Sequence, residues 1–254
     1  MTAATANAQS SLKKNMPTLL ILIVSGALIY ALPYFRYYYY DAFVKLFNIT
    51  NTQMGALGSA FGGTAIIGYM FGGFFADRWP TRYLLTISLV TTGLLGYILL
   101  TYPPYPVVFA IHLAIGITSI VTFWSALIKA IRSLADSDEQ GRAFGLFEGG
   151  RGVVNMVQSA IILSMFGYIA AKFGEKSALS AVIAVYSTIC LLLGLLVYLL
   201  YRDPEVRGGE KVELSKKVFD KDVFLKVAKM PTTWLCTIII FTSYSTIISY
   251  FYIT

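Results

Sequence analysis

The chain has 254 residues, of which 57% are hydrophobic and 13% charged, with a formal net charge of +7. A soluble domain carries about a quarter charged residues, so this composition excludes an ordinary soluble fold and points to lipid. Two cysteines, Cys190 and Cys236, both inside apolar runs, report nothing about disulfides and read as small membrane-buried residues; with one histidine and no Cys/His cluster there is no case for a metal site, and no metal or cofactor is expected.

A helix needs about 20 residues to cross a hydrocarbon core. Seven apolar runs approach that length, at 17–35, 54–75, 83–101, 106–131, 144–171, 178–201 and 232–254. The first, Pro17 to Phe35, is too long for the h-region of a signal peptide and has no small-residue cleavage site, so it is read as a retained span. It ends at Arg36, followed by Tyr37 to Tyr40 and Asp41. Two readings are open for Arg36. It snorkels to the interface with the tyrosines as an aromatic belt, or it touches a substrate together with Tyr37.

The second span carries Gly58-x-x-x-Gly62 and Gly68-x-x-x-Gly72, a spacing that lets helix backbones approach closely in lipid. It runs into Gly73-Phe-Phe-Ala-Asp77-Arg78-Trp-Pro-Thr-Arg82, which is too polar to stay in the membrane. Tyr102-Pro-Pro-Tyr-Pro106 lacks three amide donors and predicts a tight turn before the fourth span. His112 in that span reads either as a packing residue with one hydrogen bond or as a proton carrier.

The charged stretch 136–142 leads into the fifth span, which carries Gly145-x-x-x-Gly149 and the pair Glu148 and Arg151. Intramembrane charges are costly and usually face a cavity. Spaced i and i+3, these two share a helix face. They form a self-satisfied structural pair, or one that also touches a substrate or coupling ion. Arg202 to Lys229 is a long polar segment containing an expected amphipathic surface helix at Val218 to Val227.

Basic residues set the expected orientation. Lys13, Lys14, Arg78, Arg82, Lys129, Arg132, Arg142 and the many basic residues of 202–229 fall on one side; only Arg36, Lys45, Lys172 and Lys176 fall on the other. The expected layout is a cytoplasmic N-terminus (1–16), a six-helix bundle (17–201), a cytoplasmic linker (202–231) and the start of a second half (232–254). The positive charge is thereby explained as topology and contact with anionic lipid, and nucleic acid is not expected as a partner.

The loop after the second span matches G-x-x-x-D-R-x-G-R-R at Gly73, Asp77, Arg78 and Arg82; Pro80 replaces a glycine and Thr81 a basic residue. On this motif the chain resembles the major facilitator superfamily. The resemblance implies an all-α membrane protein: the six-helix N-terminal bundle of that fold plus a seventh transmembrane helix, with the C-terminal half missing. It also implies a conformational latch on the cytoplasmic side. There Asp77 pairs with nearby guanidinium groups and helix dipoles while the two halves are closed. In that superfamily the second and fifth helices face the other half.

Two stretches sharpen the resemblance: the first span through Ile49-Thr-Asn-Thr-Gln-Met-Gly-Ala-Leu-Gly58-Ser to Arg82, and Glu139-Gln-Gly141-Arg-Ala-Phe-Gly145-Leu-Phe-Glu-Gly-Gly-Arg151. They are similar to the organophosphate:phosphate antiporter branch, and still more to uncharacterised bacterial relatives carrying the tyrosine run and the Glu-Gln-Gly-Arg motif. The branch resemblance implies that Arg36 binds a substrate phosphate. It puts Arg151 where the branch has a substrate-contacting histidine, and Tyr69 where it has a lysine, so that one cation is lost.

The expected function is secondary transport of a small organic anion by alternating access, as a symporter or antiporter in a bacterial inner membrane. Arg36, Tyr37, Tyr69, His112, Glu148 and Arg151 are the substrate-site candidates. The expected partners are the lipid bilayer, the anionic substrate and an unnamed coupling ion or counter-substrate. Residues 1–254 alone are expected not to transport. A proton-coupled drug exporter would use a Gly-Pro motif in the fifth span, and 144–171 has no proline. A transporter-like membrane sensor shares the fold, but the long loop has no evident signalling module. No Walker phosphate loop or clustered carboxylates support ATP drive or an enzyme.

Overall fold

The computed structural model describes residues 11–203 and 221–253, and among them every regular element is helical. The described helices fall into two units, one reaching Asp203 and one beginning at Lys221. In the first unit come α1 (Ser11–Lys14), α2 (Met16–Leu28), α3 (Ala31–Tyr38), α4 (Tyr40–Phe47), α5 (Asn51–Arg78) and α6 (Thr81–Leu99). There follow α7 (Tyr105–Gly116), a π-helical segment (Ile117–Trp124), α8 (Ser125–Arg132), α9 (Gln140–Phe173) and α10 (Glu175–Leu200). The second unit holds α11 (Lys221–Ala228) and α12 (Pro231–Ile253).

Five helical stretches are long and apolar enough to cross a membrane, and α2 with α3 makes a sixth if the two count as one bent span. The two meet at a 42° bend, and the helix runs on to Tyr38, past the expected end of the span at residue 35. The cause of the bend is Pro33, which has no amide to offer the carbonyl of Ile29 and whose ring crowds the preceding turn. The chain then continues helically through α3 and the extra short helix α4. Asn48, at φ +50°, ends α4 in the left-handed conformation. A reciprocal cap starts α5: the Gln53 amide donates to Thr50 Oγ1 at 3.2 Å and the Thr50 amide donates to Gln53 Oε1 at 2.9 Å.

The expected turn at 102–106 falls earlier, at 100–104 between α6 and α7, with Tyr105 and Pro106 already in the first turn of α7. The expected amphipathic helix at 218–227 is met by α11 from Lys221 onward; residues 218–220 lie outside the described residues. In place of the seventh span stands α12, a helix of 23 residues.

Small residues set the closest helix contacts, as they must where lipid supplies no hydrophobic drive between helices. On α5, Gly68 lies against Ile120 and the Val121 backbone, and Gly72 against Ser125 and the Val121 carbonyl. Gly116 meets Thr64, and on the other side of the bundle Gly96 meets Ser187. Hydroxyl pairs add direction to this packing: Ser88 with Thr122 at 2.6 Å and Thr92 with Thr118 at 2.8 Å join α6 to the π segment. Thr118 and Thr122 also bond to carbonyls of their own helix, so their lone pairs receive the α6 hydroxyls.

The two ends of the bundle are tied differently. At the basic end, the Leu12 amide donates to Glu139 Oε2 at 3.1 Å, and Gln140 Nε2 donates to the Arg132 and Ala135 carbonyls at 2.8 and 2.7 Å. The Glu-Gln pair of the Glu-Gln-Gly-Arg motif therefore joins the first short helix and the end of α8. At the opposite end, Lys45 and Glu175 form an exposed ion pair at 2.8 Å between α4 and α10.

One helix stands apart. Only 6% of the most apolar window of α9 is buried, against 33–50% for the other single-helix spans, and nothing in the bundle lies within reach of Gly145, Gly149 or Gly152.

Candidate functional site

Tyr30, Tyr34 and Tyr37 recur at i, i+4 and i+7 and so share one face of the first span across its bend. Their rings form a ladder, with centroids 6.4 Å apart from Tyr30 to Tyr34 and 6.1 Å from Tyr34 to Tyr37; Phe61 of α5 meets Tyr34 edge-on at 5.5 Å. A guanidinium group sits at each end of this ladder.

At the Tyr30 end is Arg151 of α9. Its Nη1 donates to both oxygens of Glu148, at 3.0 and 2.9 Å, and its Nε donates to the carbonyl of Gly26 on α2 at 3.2 Å. Three rings surround its charge: Trp124 at 5.1 Å, Phe147 at 5.3 Å and Tyr30 at 6.0 Å. Tyr30 is held by donating its hydroxyl to the Ser119 carbonyl at 2.9 Å, inside the π segment. The π segment thus both fixes Tyr30 and ends at Trp124, consistent with the concentration of such segments at functional sites. The two side chains differ in exposure, 17% for Arg151 and 56% for Glu148, so the carboxylate lies on the outer side of the pair.

At the Tyr37 end is Arg36, 1% exposed and without a carboxylate partner among the described residues. It donates from Nε to the Pro33 carbonyl at 3.2 Å, from Nη1 to the Met54 carbonyl at 3.4 Å, and from Nη2 to the Tyr37 hydroxyl at 2.7 Å. Its guanidinium carbon also lies 4.1 Å from the Tyr37 ring centroid. That burial overturns the snorkelling reading, because the charge turns into the bundle rather than out to water. The tyrosine run divides accordingly. Tyr38 and Tyr40 are exposed, whereas Tyr39 is buried against Phe166 at 4.4 Å.

The remaining candidates lie elsewhere. His112 is fully buried; its Nδ1 donates to the Val108 carbonyl at 2.8 Å, and Phe43 meets its ring edge-on at 6.3 Å. That is the arrangement of a packing residue. Tyr69 is 66% exposed, on the side of α5 away from Gly68 and its helix contact.

Among the loop-motif residues, Asp77 is exposed and forms no ion pair with a described residue. Arg78 covers the Phe74 ring at 3.9 Å. Arg82 turns the other way: its guanidinium lies over Tyr198 at 4.3 Å and its amide donates to Asp203 Oδ2 at 3.1 Å. Gly73 faces open space. The motif's acid and its arginines are therefore near in sequence, but no ion pair joins Asp77 to Arg78 or Arg82 in this conformation. Lys129 instead donates to the Ala76 carbonyl at 3.0 Å, placing its charge at the C-terminus of α5 where the helix dipole favours a cation.

Sequence reasoning missed Tyr30, Trp124, Phe147 and Asp203. The Tyr30–Tyr34–Tyr37 spacing was the available signal for the first. Trp124 and Phe147 reach Arg151 only through helix packing, and nothing local marks them.

The family model of the Major Facilitator Superfamily matches residues 18–254. The chain is 36% identical over 225 residues to the inner membrane protein YqcE of Escherichia coli K12, covering 88% of this chain and 52% of that protein. It is 31% identical over 234 residues to the inner membrane protein YihN of the same organism, covering 92% of this chain and 55% of that one. A more distant relative, the uncharacterized protein MG294 homolog of Mycoplasma pneumoniae, is 28% identical over 194 residues. The chain spans about half the length of the two E. coli relatives it matches.

Proposed function

The chain belongs to the Major Facilitator Superfamily and is an integral multi-pass membrane protein, and from that premise we propose that it lines one side of the translocation path of a secondary transporter for small organic anions. The mechanism is alternating access, with the N-terminus and the polar segment after α10 in the cytoplasm. One observation carries the choice of an anion: Arg36 is a fully buried cation, within a membrane-spanning bundle, whose hydrogen-bond partners are all neutral. Removing a charge from water is expensive, and without a carboxylate its field stays directed at whatever enters the site. Arg151 adds a second positive group at the other end of the tyrosine ladder, oriented by Glu148.

In this reading the substrate is a sugar acid, a phosphorylated solute or an anion of similar size. The open face of α9 and the unpaired Asp77 suit a second half-transporter that closes over the site and engages the latch. The protein is a carrier and not an enzyme.

Uptake of labelled organic anions into proteoliposomes, comparing the whole protein with its Arg36→Ala and Arg151→Ala variants, tests the proposal. Saturable uptake that falls in both variants is expected. Uptake left unchanged by both would remove the anion site.

A further inference from the structure

Arg36 cannot be reached as it stands. An anion that binds it must take the place of something already bonded to it, and the geometry names which group can leave. Two of its three partners are main-chain carbonyls of Pro33 and Met54, fixed in helices, at 3.2 and 3.4 Å. The third, and the shortest at 2.7 Å, is the hydroxyl of Tyr37, a side-chain group that two torsions position rather than the helix backbone. Tyr37 is half-buried while Arg36 is buried, so the ring is the wall between the guanidinium and the outside.

We infer that Tyr37 is the shutter of the anion site: its hydroxyl and ring occupy Arg36 while the site is empty, and an incoming oxyanion displaces the hydroxyl. The inference rests on the anion reading of Arg36 given above. Its chemistry is a hydrogen-bond exchange. A neutral phenol oxygen gives way to a charged carboxylate, phosphate or sulfonate oxygen, which adds an ion pair to a bond that the guanidinium charge alone assists in the closed state. The low dielectric of the bundle enlarges that difference. The ring's cation–π contact is given up as it swings, which keeps the shutter closed against water and weak ligands.

The seat for the closed shutter is Gly58 of α5. A Cβ built there would stand 3.0 Å from the Tyr37 hydroxyl and 3.4 Å from an Arg36 nitrogen. Gly58 belongs to a Gly-x-x-x-Gly pair, but its neighbours are this hydroxyl and this guanidinium rather than another helix backbone. Its partner in the motif, Gly62, meets nothing. The missing side chain therefore makes room for the closed position of Tyr37.

Arginine-selective labelling with phenylglyoxal, performed on the protein in native membrane vesicles and read residue by residue by mass spectrometry, tests the shutter without a known substrate. Arg36 is expected to label at least tenfold faster in Tyr37→Ala than in the unaltered protein, with Arg151 unchanged as the internal reference. Gly58→Ala, which crowds the hydroxyl off its seat, is expected to act in the same direction and more weakly. Arg36 labelling unaffected by either substitution would overturn the shutter.

Inorganic phosphate added as a competitor separates a shutter from a ligand. In Tyr37→Phe the hydroxyl no longer competes, so the phosphate concentration that halves Arg36 labelling is expected to fall about tenfold, the worth of one lost hydrogen bond. A rise in that concentration would mean that Tyr37 binds the anion itself, and the shutter would be wrong. Labelling that the substitutions accelerate but phosphate never slows would keep the cover over Arg36 and sink the anion reading beneath it.

Discussion

Arg36 and Arg151 are the same residue type at two ends of one tyrosine ladder, and the protein treats their charges in opposite ways. Arg151 is compensated: a carboxylate on its own helix takes two contacts from one nitrogen, a carbonyl of α2 takes another, and three rings face it. Arg36 is buried more deeply and compensated less, with only two carbonyls and a phenol around it. A self-satisfied pair can be structural with no further role. A buried cation left without an anion is a cost that a stable scaffold has no reason to carry. In the proposed anion site, the contrast favours the stronger ligand role for Arg36 and a supporting one for Arg151.

The largest expected effect follows from that ranking. Arg36→Lys keeps the charge but replaces a planar fork by a point ammonium, which cannot serve acceptors on Pro33, Met54 and Tyr37 from three separate nitrogens. Anion uptake in proteoliposomes is expected to lose at least a hundredfold in kcat/KM, about 2.7 kcal/mol at the transition state. Arg151→Lys is expected to lose about tenfold, since Glu148 already shares its charge. An Arg151→Lys loss equal to or larger than that of Arg36→Lys would reverse the comparison. Ionic strength sharpens it further. Raising salt is expected to weaken anion affinity more in Arg36→Lys, where the Arg36 fork is lost and binding leans on the partly exposed Arg151, than in Arg151→Lys, where the intact Arg36 is shielded from solvent.

How far the sequence reveals this arrangement depends on the range of the interaction. The Glu148–Arg151 contact is local, three residues apart on one helix, and was legible from spacing alone. So were the five or six spans of the first unit, because apolar runs and prolines are local signals. Arg36 was legible as a charge at the end of a span but not as a buried one: its direction depends on Pro33 bending the helix and on Gly58 leaving space on α5. The glycine motifs make the same point. Gly68-x-x-x-Gly72 packs against the π segment, whereas Gly145-x-x-x-Gly149 faces nothing in this bundle, and the two are indistinguishable as text. The π segment left no mark at all, since Ile117 to Trp124 reads as ordinary apolar helix. Its last residue, Trp124, is one of the rings around Arg151. The loop motif marked the family correctly while leaving the placement of its charges open: Arg82 rests on Tyr198 and Asp203, two residues outside the motif.

The smallest expected effect is the most discriminating test of what Glu148 does. Two roles are entangled in its contact with Arg151: it orients the guanidinium, and it cancels part of the charge. Glu148→Gln keeps a carbonyl oxygen that can accept from Nη1 but removes the negative charge. Glu148→Ala removes both. Charge cancellation opposes an anionic substrate, so Glu148→Gln is expected to lower KM for the anion about threefold, about 0.65 kcal/mol and within the range of an exposed ion pair. Because the Glu148 side chain is more than half exposed, that gain is expected to shrink as salt is raised. Orientation works with the substrate, so Glu148→Ala is expected to raise KM despite the same change in net charge. Opposite signs for the two variants separate the roles. If both lowered KM, Glu148 would be a counter-charge only, and Arg151 would be held by the Gly26 carbonyl and its ring of aromatic neighbours without help from the carboxylate.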